Sequence, residues 1–470
     1  MKIWELHERY GPVVRLAPDR LVFNSPRALR DIYQNDRIVK STNYQVTVQG
    51  GVVNVFNAID RDVHRAKRRL VGEAVTEKAM RRFEPTMASY VDHYLGLIAA
   101  AASDGNPVVN VTAKTRHLAL DIVCELAFGY DLGTMTREDN RFMLTGMTFG
   151  NWRGNVYMHM PFLASLYLKK PFDYLFYKAR ERYWRLVEKM LRSRMAMDTH
   201  AKADLYSHVA GVYGVDKDNL RGGDLWLEGI FFLIAGGDTT ATAICAAFFY
   251  LSRKENAACY RRVVGEVRGA FKSGKDIKGG PAMAGCTYLR ACINEALRMS
   301  PPTSTTLWRE QDRKDTSSEP IVVDGVVIPK GTMVGVNVYA INHNKDVFPD
   351  PFAYKPERWL DDGRFDEATK RRMNETFSPF SVGPRGCAGK AMAYLELSLV
   401  LAKTIWYFDF ERAPGELGVV GGGNAGDKRG RYRTAEYQLE DVFSSRHDGP
   451  YLVFRPRKGD DGVELCRELD

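Results

Sequence analysis

The sequence predicts a mainly α-helical fold with small β-sheets, an α+β architecture built as one domain over residues 1–470. Three observations predict it. Apolar residues recur at three- and four-residue spacing through the middle of the chain, the period of helices with one buried face. Strand signals, β-branched runs bounded by turn residues, gather towards the two ends. No internal repeat or linker divides the chain, and its 45% hydrophobic and 27% charged residues supply a large core under a solvated surface.

Each element follows in order. "VVRLAPDRLVFN" reads as strand and "PRALRDIY" as helix. From about 61 to 300 the pattern is helical, with its clearest periods at 117–128, 174–195 and 285–300. Residues 229–251 run through apolar positions with a single charge, Asp238, and their length suffices to cross a bilayer. An acid and two threonines near the middle are costly there, and no second span follows, so a core helix is the expectation. At 320–341 a D-G turn separates two β-branched runs and strand character is predicted throughout. The proline-rich "FPDPFAYKPERWL" then leads to "FSVGPRGCAG" at 380–389, a helix over 388–407, the loop "GGGNAGDKRGR" and a last strand "GPYLVFRPR".

The net charge of +9 suggests an acidic partner surface or simply a solvated basic face. Nucleic acid is not expected, because aromatics do not interleave with the basic run at 60–70. The seven cysteines, Cys124, Cys245, Cys259, Cys286, Cys292, Cys387 and Cys466, are odd in number and form no C-x-x-C pair. That speaks against a disulfide framework and a structural zinc site, and for a reducing compartment in which most of them are small buried hydrophobes. The N-terminus, "MKIWELHERYGPVVRLAP", has no apolar core and is neither signal peptide nor anchor.

Four groups of residues carry chemistry. Cys387 follows a glycine- and proline-rich turn and precedes a strong helix former, so its sulfur sits at a helix N-terminus that favours thiolate. Gly383 and Gly386 can take positive φ, and Gly389 lets something flat approach the backbone. Such a thiolate suits a soft or borderline metal centre such as haem iron; the bland reading is a cysteine in a tight turn. In "AGGDTT" (235–240), Gly236 and Gly237 open the helix to a ligand, and Asp238 and Thr239 place acid and alcohol beside the gap; a plain glycine kink reads equally well. Glu295 and Arg298 share a helix face, and Arg358 in "KPERW" can join them in a buried network. His64 and Arg68, four apart, can grip one anion together, while Arg65, Lys67 and Arg69 point elsewhere into solvent.

Together F-x-x-G-x-R-x-C-x-G at 380–389, A-G-G-D-T-T, E-x-x-R at 295–298 and P-E-R-W at 356–359 resemble the cytochrome P450 superfamily in order and spacing, over nearly the whole chain. The resemblance implies that family's fold, with haem b (heme b, iron protoporphyrin IX) between a long central helix and the cysteine loop. It makes Cys387 the axial metal ligand, Phe380 the residue packed on the cysteine loop, and His64, Arg68, Arg309 and Arg385 the contacts to the haem propionates. Gly389 and Gly236 border the cofactor, Asp238 and Thr239 become the acid–alcohol pair of oxygen activation, and Glu295, Arg298 and Arg358 a structural triad. Substrate contacts are expected from Val53, Phe56, Phe231, Phe232, Ala235, Thr305, Thr306 and Phe443, with Ser444.

The implied activity is a monooxygenase of fungal secondary metabolism, inserting one atom of O2 into a small, largely apolar substrate. The threonines between 303 and 306 favour substrates bearing hydroxyl, carbonyl or ring-nitrogen groups. Electrons would come from an NADPH-dependent flavin reductase whose acidic domain docks on Arg65, Lys67, Arg69 and Lys390. A haem-thiolate isomerase or dehydratase and a non-catalytic haem sensor are the rival readings. Family members usually carry an N-terminal membrane anchor; this chain begins where the catalytic domain would, so the cytoplasmic face of the endoplasmic reticulum is expected, with a soluble cytoplasmic protein as the alternative.

Overall fold

The computed structural model describes residues 2–103, 108–165, 174, 176–213 and 220–457; Cys466 and the first residues of the 174–195 helix expectation lie partly or wholly outside them. The helices of eight residues or longer are α1 (Lys2–Tyr10), α2 (Pro26–Tyr33), α3 (Arg61–Ala74), α4 (Glu77–Ser103), α5 (Val111–Phe128), α6 (Phe142–His159), α7 (Tyr177–Met195), α8 (Leu205–Tyr213), α9 (Asp224–Leu251), α10 (Ala257–Ala270), α11 (Thr287–Met299), α12 (Glu367–Thr376) and α13 (Lys390–Tyr407). Local chemistry sets their starts. Ser25 caps α2 ahead of Pro26, Asp60 accepts from the Asp62 and Val63 amides at α3, and Asn110 accepts from the Ala113 amide at α5. Gly129, at φ 55°, ends α5 in the left-handed conformation.

The strands are β1 (Val13–Ala17), β2 (Arg20–Phe23), β3 (Ile38–Lys40), β4 (Val108–Asn110), β5 (Arg309–Gln311), β6 (Ile321–Val323), β7 (Val326–Ile328), β8 (Met333–Val336), β9 (Phe408–Arg412) and β10 (Tyr451–Pro456). They form a five-stranded sheet in the order β1-β2-β8-β5-β3, a three-stranded sheet β4-β10-β9 and the hairpin β6-β7. Among the described residues only β2 and β8 run parallel. The hairpin turns through Asp324 and Gly325, both at positive φ, as the D-G signal predicts. One expectation fails nearby. Strand character predicted up to 341 ends at Val336, and Val338–Asn342 form a one-turn helix instead. The Asn337 side chain accepts from the Ala340 amide, and this cap outweighs the β-propensity of the valines.

Helix α9 runs through the core. It is long and apolar enough to cross a membrane, yet 72% of its most apolar stretch is buried inside the protein, as a core helix requires. Glycines let α5 approach it: a Cβ at Gly229 would come within 2.6 Å of the Phe128 ring, and one at Gly236 within 2.7 Å of Val123 Cγ2. Gly237 likewise faces Leu120 and Met147, so it serves helix packing and not, as predicted, a ligand. Of the cysteines, Cys124, Cys245, Cys286 and Cys292 are buried as expected.

Glu396, on α13, is fully buried with both carboxyl oxygens lacking a protein hydrogen-bond partner. Burial pushes its pKa from 4.5 up to about 8. The native state therefore holds a proton that the unfolded chain releases, and stability falls as pH rises through the interval between those values. Glu396→Gln is expected to flatten that fall and to raise the melting temperature of the protein at about pH 8. Parallel thermal melts of both proteins from acid to alkaline pH check it; identical slopes would contradict the burial argument.

Candidate active site

The loop between α12 and α13 folds back on itself. The Cys387 amide donates to the Phe380 carbonyl at 2.8 Å, and Gly386 to Gly383 at 3.0 Å. Gly383, at φ 73°, is indispensable, because a Cβ would meet the Tyr33 carbonyl oxygen at 2.1 Å. Gly386 does not take the positive φ expected of it; its φ is −60°, and Ser381 adopts the left-handed conformation instead. Cys387 is exposed only in the sense that its thiol opens into a cavity of about 410 Å³. A Cβ on Gly389 would meet nothing within 4 Å, so the backbone there is free to lie against a flat group.

The expectation that the helix end ionises the sulfur needs correction. Burial pushes the Cys387 thiol above its ordinary value, against the opposing pull of the Gly389 amide, Arg68 and Lys390. The desolvation penalty exceeds what a helix terminus and two nearby cations return. A thiolate at this position therefore needs a directly bound cation, and coordination to a metal deprotonates a thiol outright.

The same cavity is lined along one edge by Lys40, His64, Arg68, Arg309 and Arg385, and among the described residues no Asp or Glu lines it at all. Arg68 donates to the Gly386 carbonyl at 2.7 Å, Arg385 to the Ala58 and Ile59 carbonyls, and Arg309 to the Trp308 carbonyl at 3.0 Å. The crowding shows in the titration. Burial, then Arg385, Lys40, Arg68 and Arg309, lower His64 to about 3; burial, then Arg309 and Arg61, lower Arg385 to about 10. Lys40 is held well below its ordinary value by burial, Arg309 and Arg385. So many cations without a counter-charge fit a group that carries carboxylates. Cysteine sulfur, an open glycine and this edge together fit haem, with sulfur at the metal and the cations at the propionates.

Sequence reasoning missed Lys40. It is the last residue of β3, and a lone charge in a three-residue strand sends no periodic signal. Its ammonium reaches the Phe56 carbonyl and lies 4.1 Å from the centre of that ring.

On α9 the predicted acid–alcohol pair is split. Thr239 lines the main cavity and donates back to the Ala235 carbonyl at 2.6 Å. Asp238 faces a second, polar cavity of about 730 Å³ and accepts from Arg116 at 3.1 Å. Successive helical residues point about 100° apart, and here that step turns Asp238 away from the cavity that Thr239 lines. Burial raises the Asp238 carboxyl above its usual range, and Arg116 pulls it back. Arg116, also unforeseen, donates to Thr148 at 2.6 Å. Asn151 and Ser444 line both cavities, and the Asn151 amide donates to the Ser444 carbonyl across the partition.

Of the predicted substrate contacts, Phe56, Phe231, Phe232, Ala235, Phe443 and Ser444 line the main cavity, as do Gly236 and Phe380. Val53, Thr305 and Thr306 do not. Val53 sits on the covering loop while its neighbours Asn54, Val55 and Phe56 turn inward. The Thr305 and Thr306 side chains are buried away from the cavity, and Thr306 accepts from Asn337 at 3.3 Å. Only Thr303 of that stretch reaches the cavity, which leaves its wall less polar than expected.

Glu295 lies among four donating residues, one of them through the Lys355 amide at 3.0 Å. Arg298 bonds it twice at 2.9 Å, Arg358 at 3.1 Å and the Trp359 indole at 3.1 Å, with both charged pairs fully enclosed. Burial alone would raise its pKa, and the two arginines more than offset that. Among the basic residues assigned to a docking face, Arg65, Arg69 and Lys390 are exposed. Lys67 is not; it is buried in ion pairs with Asp224 and Glu228, because its position on α3 turns it towards α9.

A family model described as "Cytochrome P450" matches residues 1–417. The chain is 33% identical, over 96% of its length and 87% of the relative's, to "Cytochrome P450 monooxygenase AKT7" of Alternaria alternata. It is 32% identical to "Cytochrome P450 monooxygenase poxM" of Penicillium oxalicum, over 96% and 84%. It is also 32% identical to "Cytochrome P450 monooxygenase apf7" of Gibberella fujikuroi, over 97% and 88%.

Proposed function

Since the chain belongs to the cytochrome P450 family and is a haem-thiolate monooxygenase, we propose that the cavity opening on Cys387 is where one atom of O2 enters a small, largely apolar organic substrate. The observation that carries this reading is the meeting, in one cavity, of the Cys387 thiol and a cationic edge without carboxylates. Haem, when bound, supplies the centre at which O2 is reduced with two electrons and two protons, one oxygen going to substrate and one to water.

Each residue then has a task. Cys387 gives the thiolate donor, held in place by its amide bond to Phe380. His64, Arg68, Arg309 and Arg385, joined by Lys40, would hold the propionates, and Gly389 leaves room beside the macrocycle, whereas Gly236 lines the cavity with the space of its missing Cβ taken by Val123. The neutral His64 ring can donate without adding to the crowded charge. Phe56, Phe231, Phe232, Ala235 and Phe443 exclude water from the substrate.

Proton delivery falls to two cavities. Asp238 takes protons arriving through the second cavity, where Arg116 orients its carboxylate, and Thr239 holds a hydroxyl on the reacting side of α9. Asp238→Asn keeps the shape and removes the titrating oxygen. It is expected to lower product formation about 10²-fold while NADPH consumption falls less. Product formed per NADPH consumed is the measurement, and unchanged turnover would remove Asp238 from the proton path.

The redox partner we propose is an NADPH–cytochrome P450 reductase, its acidic flavin domain meeting Arg65, Arg69 and Lys390. The likeness to fungal cytochrome P450 monooxygenases supports a role in secondary metabolism, and the cytoplasmic face of the endoplasmic reticulum is the location this reading expects. Turnover of candidate metabolites with that reductase under isotopically labelled dioxygen tests the activity. One labelled oxygen per product is expected, and reductase-independent product without label would overturn it.

A further inference from the structure

One acid in the apolar half of α9 has no part in the chemistry above. Glu228 is fully buried, one turn before Phe231. Its two carboxyl oxygens accept from the Val55 amide at 3.0 and 3.1 Å, and Lys67 of α3 lies 3.4 Å away. Lys67 also meets Asp224, in the first turn of α9. A buried carboxylate with a single cation partner is not a device for stability, since apolar replacements often serve as well. Its geometry shows what it holds.

Val55 precedes Phe56, and Phe56 forms much of the apolar roof of the main cavity. Its ring stacks on Phe231 at 5.2 Å and 20°, and meets Tyr44 and Phe443 edge-on at 5.3 and 5.1 Å. The loop closes on itself as well, Asn54 accepting from the Phe56 and Asn57 amides. Helix α9 thus grips this segment twice, by a charge-assisted hydrogen bond at Glu228 and by an aromatic stack one turn later. Helix α3, which also carries His64 and Arg68, is locked to the same carboxylate through Lys67.

We propose that Glu228 is a positioning residue that determines substrate specificity: by holding the Val55 amide and pairing with Lys67, it sets where Phe56 stands over the reaction centre. This rests on the reading of the cavity as a haem-linked substrate site. Glu228 touches no substrate; it acts through Phe56. Freed of that tie, the loop keeps its aromatic contacts and loses its register, so large ligands lose the roof they pack on while small ones bind as before. Burial raises the Glu228 carboxyl to about 7 against the opposing Val55 bond and Lys67, with Asp224 adding to the rise, so the tie also weakens on acidification.

The test is azole binding to the holoenzyme, read from the haem spectrum. Imidazole reports on the metal alone, and miconazole reaches the cavity walls. Glu228→Leu is expected to weaken miconazole about tenfold and imidazole less than about twofold. Phe56→Ala should do the same, and the double variant should be no weaker than the poorer single one, because both remove one roof. Glu228→Gln, whose carbonyl still accepts from Val55, should lie between Glu228→Leu and the native protein. Additive effects, or equal loss for both azoles, would overturn the proposal. Should Glu228→Leu fail to take up haem, Glu228→Gln is paired with Phe56→Ala in the same cycle, and an unchanged miconazole affinity or additivity there overturns it too. No imidazole shift in the native protein would instead defeat the haem reading itself.

Discussion

Cys387→Ser is expected to leave a folded protein that lacks the thiolate-type red shift of its reduced, carbon-monoxide-bound spectrum and turns over no substrate. The fold survives because the side chain faces the cavity and not the core, and because the loop is held by the Cys387 amide, by Gly383 against Tyr33 and by Arg68 on the Gly386 carbonyl. The chemistry does not survive. A serine hydroxyl is a hard donor that stays protonated where even the thiol is pushed upward by burial, and it cannot supply the electron density that favours O–O cleavage. The spectrum of the variant, with circular dichroism to show that it is folded, is the measurement. A red shift that persists in Cys387→Ser would remove the central assignment.

The second large effect belongs to Glu295. Glu295→Gln keeps volume and shape and leaves Arg298 and Arg358 facing one another with no anion, in a site where all three side chains are fully enclosed. Removing one partner from a buried charge network typically costs about 3–5 kcal/mol, and a large share of the stability of a domain is of that size. Arg298 also donates to the Asn342 and Pro351 carbonyls, and Arg358 to that of Asp350, so the segments leading to the cysteine loop loosen with it. Low yield of haem-loaded protein and an early urea midpoint are expected. A variant that unfolds within about 1 kcal/mol of the native protein would show that hydrogen bonds, and not charge, hold this corner.

Much of the site was legible because its signals are local. The cysteine loop is ten consecutive residues, the pair His64 and Arg68 is one helical turn, and Glu295 with Arg298 another. The partners of those residues were not legible. Lys40, Arg116 and Glu228 are single charges in apolar or unremarkable stretches, and each matters through a residue 16, 122 or 173 positions away. Lys67 was misplaced for the same reason. A charge within a basic run reads as solvated until the neighbouring helix supplies two carboxylates.

By itself the sequence determined the helix-rich class, the order of elements, the thiol that opens into the cavity and the residues around it, since periodicity, caps, glycine turns and short motifs act over a few residues. Tertiary structure decided the rest. It turned Asp238 and Thr239 to different cavities, gave Gly237 to α5 and not to a ligand, drew Thr305 and Thr306 out of the substrate wall and set Glu228 beneath the roof loop. It also set the surroundings of the sulfur, where a helix terminus favours thiolate and burial opposes it. The physical reason is common to all of these. Direction around a helix, desolvation and long-range charge pairing depend on what packs against a residue, and that is a property of the whole fold and not of its neighbours in sequence.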